Sequence, residues 1–415
     1  MLFVYRTIIN LITIISPLII FFRLLKKKED PLRFKEKFCF FSKKRIKGKL
    51  IWFHGASVGE ILSVIPLVEK LEKNKQINQI LITSNTLSSS KILDTFKLKK
   101  TIHQFFPVDS SYLTKKFLVY WKPSISIFID SEVWPNMITN IKKESIPLIL
   151  INARITKKSF NRWKKFSSIS ENLFKKFDLC LSSSLESRRY LKLLGAKNIK
   201  YIGNLKFSQT ENNKDSLRHD FKKKILSKKV WCASSTHDAE EKLCGMAHVK
   251  LKKKYKNLLT IIIPRHISRS NQISKQLREL NLKIHFHDSK NQISKNTDIY
   301  LVNSYGKTKS FFKVCKTVFL GGSLIKHGGQ NPLEAARYGC KVLHGPNVSN
   351  FKEIYSLLDK YNVSIKVNNL NQMIYNIDRS FKIKNNSKNL ESKIKNLGNK
   401  ILYLSLKEVN FFINK

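Results

Sequence analysis

The chain has 415 residues, and 78 Lys or Arg against 29 Asp or Glu give a formal net charge of +49. Its 42% hydrophobic and 11% aromatic content is enough for a sizeable core, and 14 Gly with 10 Pro exclude a fibrous or low-complexity chain. The six Cys (Cys39, Cys180, Cys232, Cys244, Cys315 and Cys340) form no CxxC pair and lack close His partners, which argues against a disulfide scaffold or structural zinc and fits a reducing compartment. At roughly 150 residues per domain, the length points to two or three domains, with two expected.

The charge has two readings. An anionic membrane face or phosphorylated substrates would reward it, and compositional drift towards Lys would also produce it. Lys runs at 26–28, 222–224 and 252–254 are spread along the chain. Nucleic-acid binders concentrate Arg and aromatics on a patch, so that partner ranks last.

In chain order, the first feature is an apolar stretch, residues 7–22, followed by Arg23 and the lysines at 26–28. It is short for a membrane span of about 20 apolar residues, and Pro17 interrupts it. A cleaved signal peptide carries its charge before the apolar run, and this segment reverses that order. An anchor or a half-buried interfacial helix is expected, with the basic flank holding the body on the cytoplasmic side; a core helix is the alternative.

A basic connector leads into apolar runs at 49–53, 80–83, 125–129 and 147–151, each followed by a polar turn and a helix-like stretch. A second series falls at 230–233, 258–263, 283–286, 299–302, 318–320 and 341–343. Two blocks of strand, turn and helix predict two doubly wound α/β domains. Ligands in such sheets bind at the carboxyl ends of the strands.

The unusual residues fall in those loops. His54-Gly55-Ala56-Ser57-Val58-Gly59-Glu60 follows the first run, so Glu60 is either a first-turn helix carboxylate or a general base. Asp130, Glu132, Trp134 and Pro135 follow the third; the two carboxylates could hold a polyhydroxyl ligand or a cation, or one could cap a helix near Pro135. Asn152-Ala153-Arg154 comes next. Lys206, in Gly203-Asn204-Leu205-Lys206-Phe207 where the blocks meet, could neutralise an anionic leaving group or be a surface lysine.

In the second block, Ser234-Ser235-Thr236 suits anion binding or plain capping before a helix, and His237 with Glu240 lacks a second His at metal-site spacing. Arg265, after Pro264, could meet a carboxylate or phosphate bidentately. Gly321-Gly322-Ser323 and Gly328-Gly329 allow close backbone approach to a ligand. Asn331 as N-cap, Pro332 at N1 and Glu334 at N3, around Leu333, predict a helix start able to take a phosphate. Neither GxxxxGK[ST] nor GxGxxG is present, which counts against ATPase and dinucleotide readings.

The ordered set HGASVGE, SEVWPN, INARIT, GNLKF, SSTHDAEE, PRH and GGSLIKHGGQNPLEAA resembles the 3-deoxy-D-manno-octulosonic acid (Kdo) transferases, from the N-terminal anchor to about Tyr355. The resemblance implies a GT-B fold, two Rossmann-like domains facing across a cleft behind an anchor helix. The expected divisions are 1–30 for the anchor, 31–204 for the acceptor domain and 205–415 for the CMP-Kdo domain, with a last helix able to pack back on the first. It implies an inverting transfer of Kdo from CMP-Kdo to the lipid A precursor (lipid IVA), without cofactor or metal. The place would be the anionic cytoplasmic face of the inner membrane, with no nucleic-acid partner.

Carried over by position, Glu60 is the base, Glu132 and Lys206 stabilise the transition state, and Pro264, Arg265, Tyr305, Gly306, Lys307, Asn331, Pro332, Leu333 and Glu334 contact CMP. The family usually has Glu at Asp130 and Met-Gly-Glu where this chain reads Tyr305-Gly306-Lys307. Another GT-B glycosyltransferase or a nucleotide-sugar epimerase is the nearer alternative, separable by whether CMP, UDP or GDP protects against unfolding. A nonenzymatic basic protein bound to nucleic acid or membrane is the distant one, and would show salt-steep DNA binding without nucleotide dependence.

Overall fold

The computed structural model describes residues 2–209, 217–287, 293–294, 296–383 and 387–414. It divides into two compact units, one of Met1–Thr210 with Leu397–Lys415 and the other of Glu211–Asn396.

The chain opens with α1 (Leu2–Leu25), a 24-residue helix that runs through Pro17. Its Tyr5–Leu25 portion is long and apolar enough to cross a membrane, so the expectation that the segment is too short is corrected. The reason is local. Proline at 17 cannot donate to the Thr13 carbonyl four residues back, but the Ser16 hydroxyl donates to that oxygen at 2.7 Å. The connector that follows is more than a basic linker. Glu36 is buried, pairs with Arg33 and accepts the Phe105 amide at 2.8 Å, and Phe41 stacks on Tyr120.

The first unit holds β1 (Lys49–His54), β2 (Ile77–Ser84), β3 (Thr101–Phe105), β4 (Ile125–Ile129), β5 (Leu148–Ala153), β6 (Leu179–Ser182) and β7 (Ile199–Tyr201). They form one parallel sheet in the order β3-β2-β1-β4-β5-β6-β7. Both faces are covered, so the central strands are continuous apolar runs; Ile51, Trp52, Phe53, Ile127 and Phe128 are all fully buried. Helix α2 (Val58–Leu71) buries Ile61, Val64, Ile65, Val68 and Leu71 at helical spacing. Three further helices matter here: α3 (Pro135–Lys143), α4 (Lys157–Lys164) and α5 (Ser167–Phe174).

The second unit repeats the plan with β8 (Lys229–Thr236), β9 (Leu258–Pro264), β10 (Ile284–Phe286), β11 (Ile299–Leu301), β12 (Thr317–Leu320), β13 (Lys341–His344) and β14 (Ser364–Lys366). The order is β10-β11-β9-β8-β12-β13-β14, again parallel. Its helices include α6 (Glu240–Lys252) and α7 (Leu333–Arg337). The long α8 (Ser387–Ile413) ends in the first unit, where Glu408 pairs with Lys200 and the Ile413 carbonyl accepts from Lys49.

In each sheet the chain winds one way from the first strand and then the other. Such sheets place ligands at the switch point, here the loops after β1 and β4, and those after β8 and β12.

Candidate active site

At the first switch point, β1 delivers His54 and the turn into α2. Ser57 is the N-cap and Glu60 the third helical residue, in a reciprocal capping box: the Glu60 amide meets Ser57 Oγ at 3.4 Å, and Glu60 Oε2 accepts the Ala56 and Ser57 amides at 2.6 and 3.3 Å. Glu60 is thus a genuine first-turn carboxylate, and it is also more than that. Burial, then the nearby Glu132 and Asp130 charges, raise its carboxyl to about 7, against the weaker pull of the Ala56 and Ser57 bonds. A carboxylate poised near neutrality is what proton abstraction needs. A side chain at Gly55 would come within 3.2 Å of Glu60 Cβ, whereas Gly59 faces open space.

From the other side of the switch point comes the loop after β4. Trp134 donates its indole N–H to Glu132 Oε2 at 2.8 Å, and His54 Nε2 lies 3.3 Å from the same oxygen, in reach of charge attraction but off hydrogen-bond alignment. Burial pushes the Glu132 carboxyl up, but His54 and Trp134 outweigh it and hold Glu132 below the usual range. His54 is itself fixed, stacked on Phe106 at 3.7 Å with Nδ1 3.0 Å from Thr83 Oγ1. The two glutamates are therefore driven apart, one held as an anion and one able to take a proton.

Asp130 sits with φ at 55°, and Asn152 with φ at 53°, a conformation that Asp and Asn tolerate better than most residues. The Asn152 carboxamide donates to Asp130 Oδ1 in a short hydrogen bond, and its oxygen accepts the Leu205 amide at 2.8 Å. That second bond brings in Lys206, whose Nζ lies 3.5 Å from Asp130 Oδ2. Glu60, Glu132 and Lys206, predicted from separate motifs, are thus gathered around Asp130. Sequence reasoning gave no role to His54, Trp134 or Asn152. The signals for them were their place at the carboxyl ends of β1, β4 and β5 and within the motifs HGASVGE, SEVWPN and INARIT.

At the second switch point, Glu240 is fully buried and its carboxylate accepts four backbone N–H groups: His237 at 3.0 Å, Gly322 at 2.7 Å, Ser323 at 3.1 Å and Leu324 at 3.0 Å. It ties the loop after β8 to the loop after β12. A side chain at Gly321 would come within 2.5 Å of the Ser235 carbonyl, so only glycine fits. The His237 ring lies 4.3 Å from that of His327 and 6.0 Å from that of His266; burial first, then His327, lowers its pKa.

Two expectations in this unit are corrected. Ser234, Ser235 and Thr236 do not cap the next helix; they end β8, and α6 starts at Glu240 after Ala239 at φ 68°. The start at Asn331 is shifted too. Its Oδ1 accepts the Leu333 amide at 3.1 Å, closing an Asx turn that leaves Pro332 at the N-cap of α7. The helix is five residues long, so its dipole is small. Pro264 ends β9, and the Arg265 amide donates to the Thr236 carbonyl at 2.9 Å. Tyr305 is 71% exposed, Gly306 has φ 80° with open space beside it, and Lys307 precedes a short helix. All follow strands of the second sheet at its carboxyl edge, but no described side-chain hydrogen bond joins the Tyr305 segment to Arg265 or Asn331.

Comparison with known proteins decides the family. The sequence profile described as 3-deoxy-D-manno-octulosonic-acid transferase (kdotransferase) matches residues 32–209. A 3-deoxy-D-manno-octulosonic acid transferase of Rickettsia bellii is 34% identical over 381 residues, covering 90% of this chain and 89% of that one. The chain belongs to the Kdo transferase family. A probable mitochondrial Kdo transferase of Arabidopsis thaliana is 33% identical over 376 residues, 87% of this chain and 83% of the relative. Among solved structures, the UDP-GlcNAc 2-epimerase of Neisseria meningitidis superposes with a TM-score of 0.59 over 86% of this chain and 100% of its own, at 15% identity. It shares the two-sheet GT-B architecture and no more.

As a Kdo transferase the chain is a glycosyltransferase, and the motifs that carried the resemblance lie in or beside loops that follow the carboxyl ends of the two sheets' strands. All six cysteines are buried and free. Among the described residues no group of three or more His, Cys, Asp or Glu is arranged to hold a metal ion.

Proposed function

We propose that the chain moves Kdo from CMP-Kdo to the lipid A precursor (lipid IVA), with inversion, in lipopolysaccharide core biosynthesis. The observation that carries the mechanism is Glu60, a buried carboxyl raised to about 7 beside an anionic Glu132. Glu60 takes the proton of the acceptor hydroxyl as it attacks the anomeric carbon. That carbon becomes oxocarbenium-like, and Glu132 offsets its positive charge. The bond to the phosphate of CMP breaks, and Lys206, steered by Asp130, stabilises the developing anion.

The first unit serves the acceptor. In the second, Pro264 and Arg265, the loop Tyr305-Gly306-Lys307 and the turn from Asn331 through Pro332 and Leu333 to Glu334 hold CMP. With a single phosphate on the leaving group, no divalent metal is required. The helix α1 supports attachment to a membrane, and the basic flank after it supports the anionic cytoplasmic face of the inner membrane.

The test is transfer of radiolabelled Kdo from CMP-Kdo to the acceptor lipid, with thermal protection by CMP, UDP and GDP measured in parallel. Transfer with selective protection by CMP is expected. Protection by UDP alone, without transfer, would move the assignment to a nucleotide-sugar epimerase.

A further inference from the structure

A cavity of about 540 Å³ lies in the first unit between α1 and the corner joining α4 to α5. Its volume falls within the roughly 300–1,000 Å³ of small-molecule sites. The walls are Ile8, Val133, Trp134, Trp163, Phe166 and Ile169. Of the polar groups that line it, the Tyr5 hydroxyl donates to Asp109 at 2.7 Å and the Trp134 N–H to Glu132, while Ser131 and Glu132 lie at the end that joins the loop after β4. Glu132, with its side chain 12% exposed, lines the end shared with the loop after β4, and Ile8 and Phe166, each 50% exposed, lie at the solvent side.

Two surroundings say what would enter. From Ile8 the exposed apolar face of α1 continues through Leu11, Ile12, Ile15, Leu18 and Ile19, so the rim is continuous with a surface suited to hydrocarbon. Along α4, Phe160 and Trp163 pack inward, while Lys157, Lys158, Arg162 and Lys165 line a shallow depression on its outer side. Residues 154–170 hold six Lys or Arg and no Asp or Glu. An apolar slot that joins the reacting carboxylates at one end, runs out to the apolar face of α1 at the other and is edged by cations fits an amphiphile with its sugar head at Glu132 and its hydrocarbon tail towards α1.

We propose that this cavity seats one acyl chain of the acceptor lipid, with the cationic face of α4 meeting its phosphorylated sugar. On this reading α1 is a wall of the acceptor site as well as an anchor. The proposal rests on the functional assignment above and adds how the acceptor is selected. A methylene buried there is worth about a fourfold gain in affinity, so a single chain can dominate recognition.

The experiment uses the full chain in detergent. Transfer is compared for the acylated acceptor and for the same sugar phosphate stripped of its chains. The wild type should favour the acylated form at least about tenfold in kcat/KM. Ile169→Phe narrows the cavity and Ile8→Phe its rim; both should raise KM for the acylated acceptor and shrink that preference below about threefold. Should Ile169→Phe fail to fold, as a missing CMP-dependent shift in melting would reveal, the rim variant carries the test.

A second readout needs no transfer. An acyl glucosamine phosphate with a brominated chain should quench Trp134 and Trp163 saturably, and Ile169→Phe or Ile8→Phe should weaken this about tenfold. Preference and quenching untouched by both substitutions would overturn the proposal. So would quenching that rises linearly with lipid, which means bulk partitioning. Loss of transfer to both acceptors with quenching intact would sink the functional assignment and leave the cavity as a lipid site.

Discussion

Lys206 holds its ammonium 3.5 Å from the Asp130 carboxylate, although 76 positions separate them in the chain. Their backbones are brought together by Asn152, which bonds to Asp130 with one end of its amide and to Leu205 with the other. If Lys206 stabilises the leaving phosphate, Lys206→Ala should cut kcat by about 10²–10³-fold, the usual cost of one charge-stabilising donor. Some stability should be lost as well, since the side chains are only 22% and 8% exposed and Asp130 loses this cation. Lys206→Met should lose as much while leaving the rate equally low. Single-turnover rates beside thermal unfolding test this; near-normal turnover would return Lys206 to a surface role.

Glu60→Gln keeps size and the capping bonds but removes proton acceptance, so turnover should fall about 10²–10⁴-fold. The wild-type rate should rise with pH through about 7, where the buried Glu60 ionises. Its linkage to stability has a definite sign. The folded carboxyl sits above its ordinary 4.5, so the folded state binds the proton more tightly than the unfolded state. Stability contributed by this group is present below about 4.5 and is lost as pH climbs to about 7. Glu60→Gln should flatten that part of the curve, and an unchanged pH–stability profile would refute the shift.

The Glu240 carboxylate gathers four amides from two loops in a fully buried site. Removing it strands buried donors, each costing about 1–3 kcal/mol. Glu240→Ala should therefore lose at least about 3 kcal/mol in urea unfolding, and Glu240→Gln, which keeps one carboxamide oxygen as an acceptor, should lose less. A cost under 1 kcal/mol for the alanine variant would mean that the loops are held by other contacts.

In α1, Ser16 and Pro17 form a compensated pair. Ser16→Ala should destabilise the helix by about 1 kcal/mol, because the Thr13 carbonyl loses its donor. With Pro17→Ala already in place, the regular backbone bond returns and Ser16→Ala should be nearly neutral. Melting of the four proteins in detergent gives the coupling directly. Additive losses would show that Ser16 acts elsewhere.

Residues 125–129 were legible as a strand to the residue, since a buried parallel strand is an unbroken apolar run. Others were not. Strand β3 reads Thr-Ile-His-Gln-Phe at a sheet edge, and β7 and β14 are three-residue edge strands carrying Lys200 and Lys366. An edge strand need not be apolar, because one side of its backbone lacks a neighbouring strand. The short β6, Leu-Cys-Leu-Ser, was passed over because four residues carry little periodicity.

The sequence by itself determined the two α/β blocks, the apolar N-terminal segment and the motif order that marks the family, because these are patterns of near neighbours and of residue type. Only the tertiary structure gave the two carboxylates different surroundings, raising the proton affinity of Glu60 and lowering that of Glu132. Glu60 and Glu132 are the same residue type after similar strands. Their proton affinities part because burial beside two like charges raises one, while His54 and Trp134 lower the other. Those neighbours arrive through the pairing of β1 with β4 and the turn into α3. The place of Lys206 was settled in the same way, by a sheet order that sets the Asp130 and Asn152 loops side by side. Electrostatic coupling depends on distance in space, and that distance is set by strands far apart in the chain.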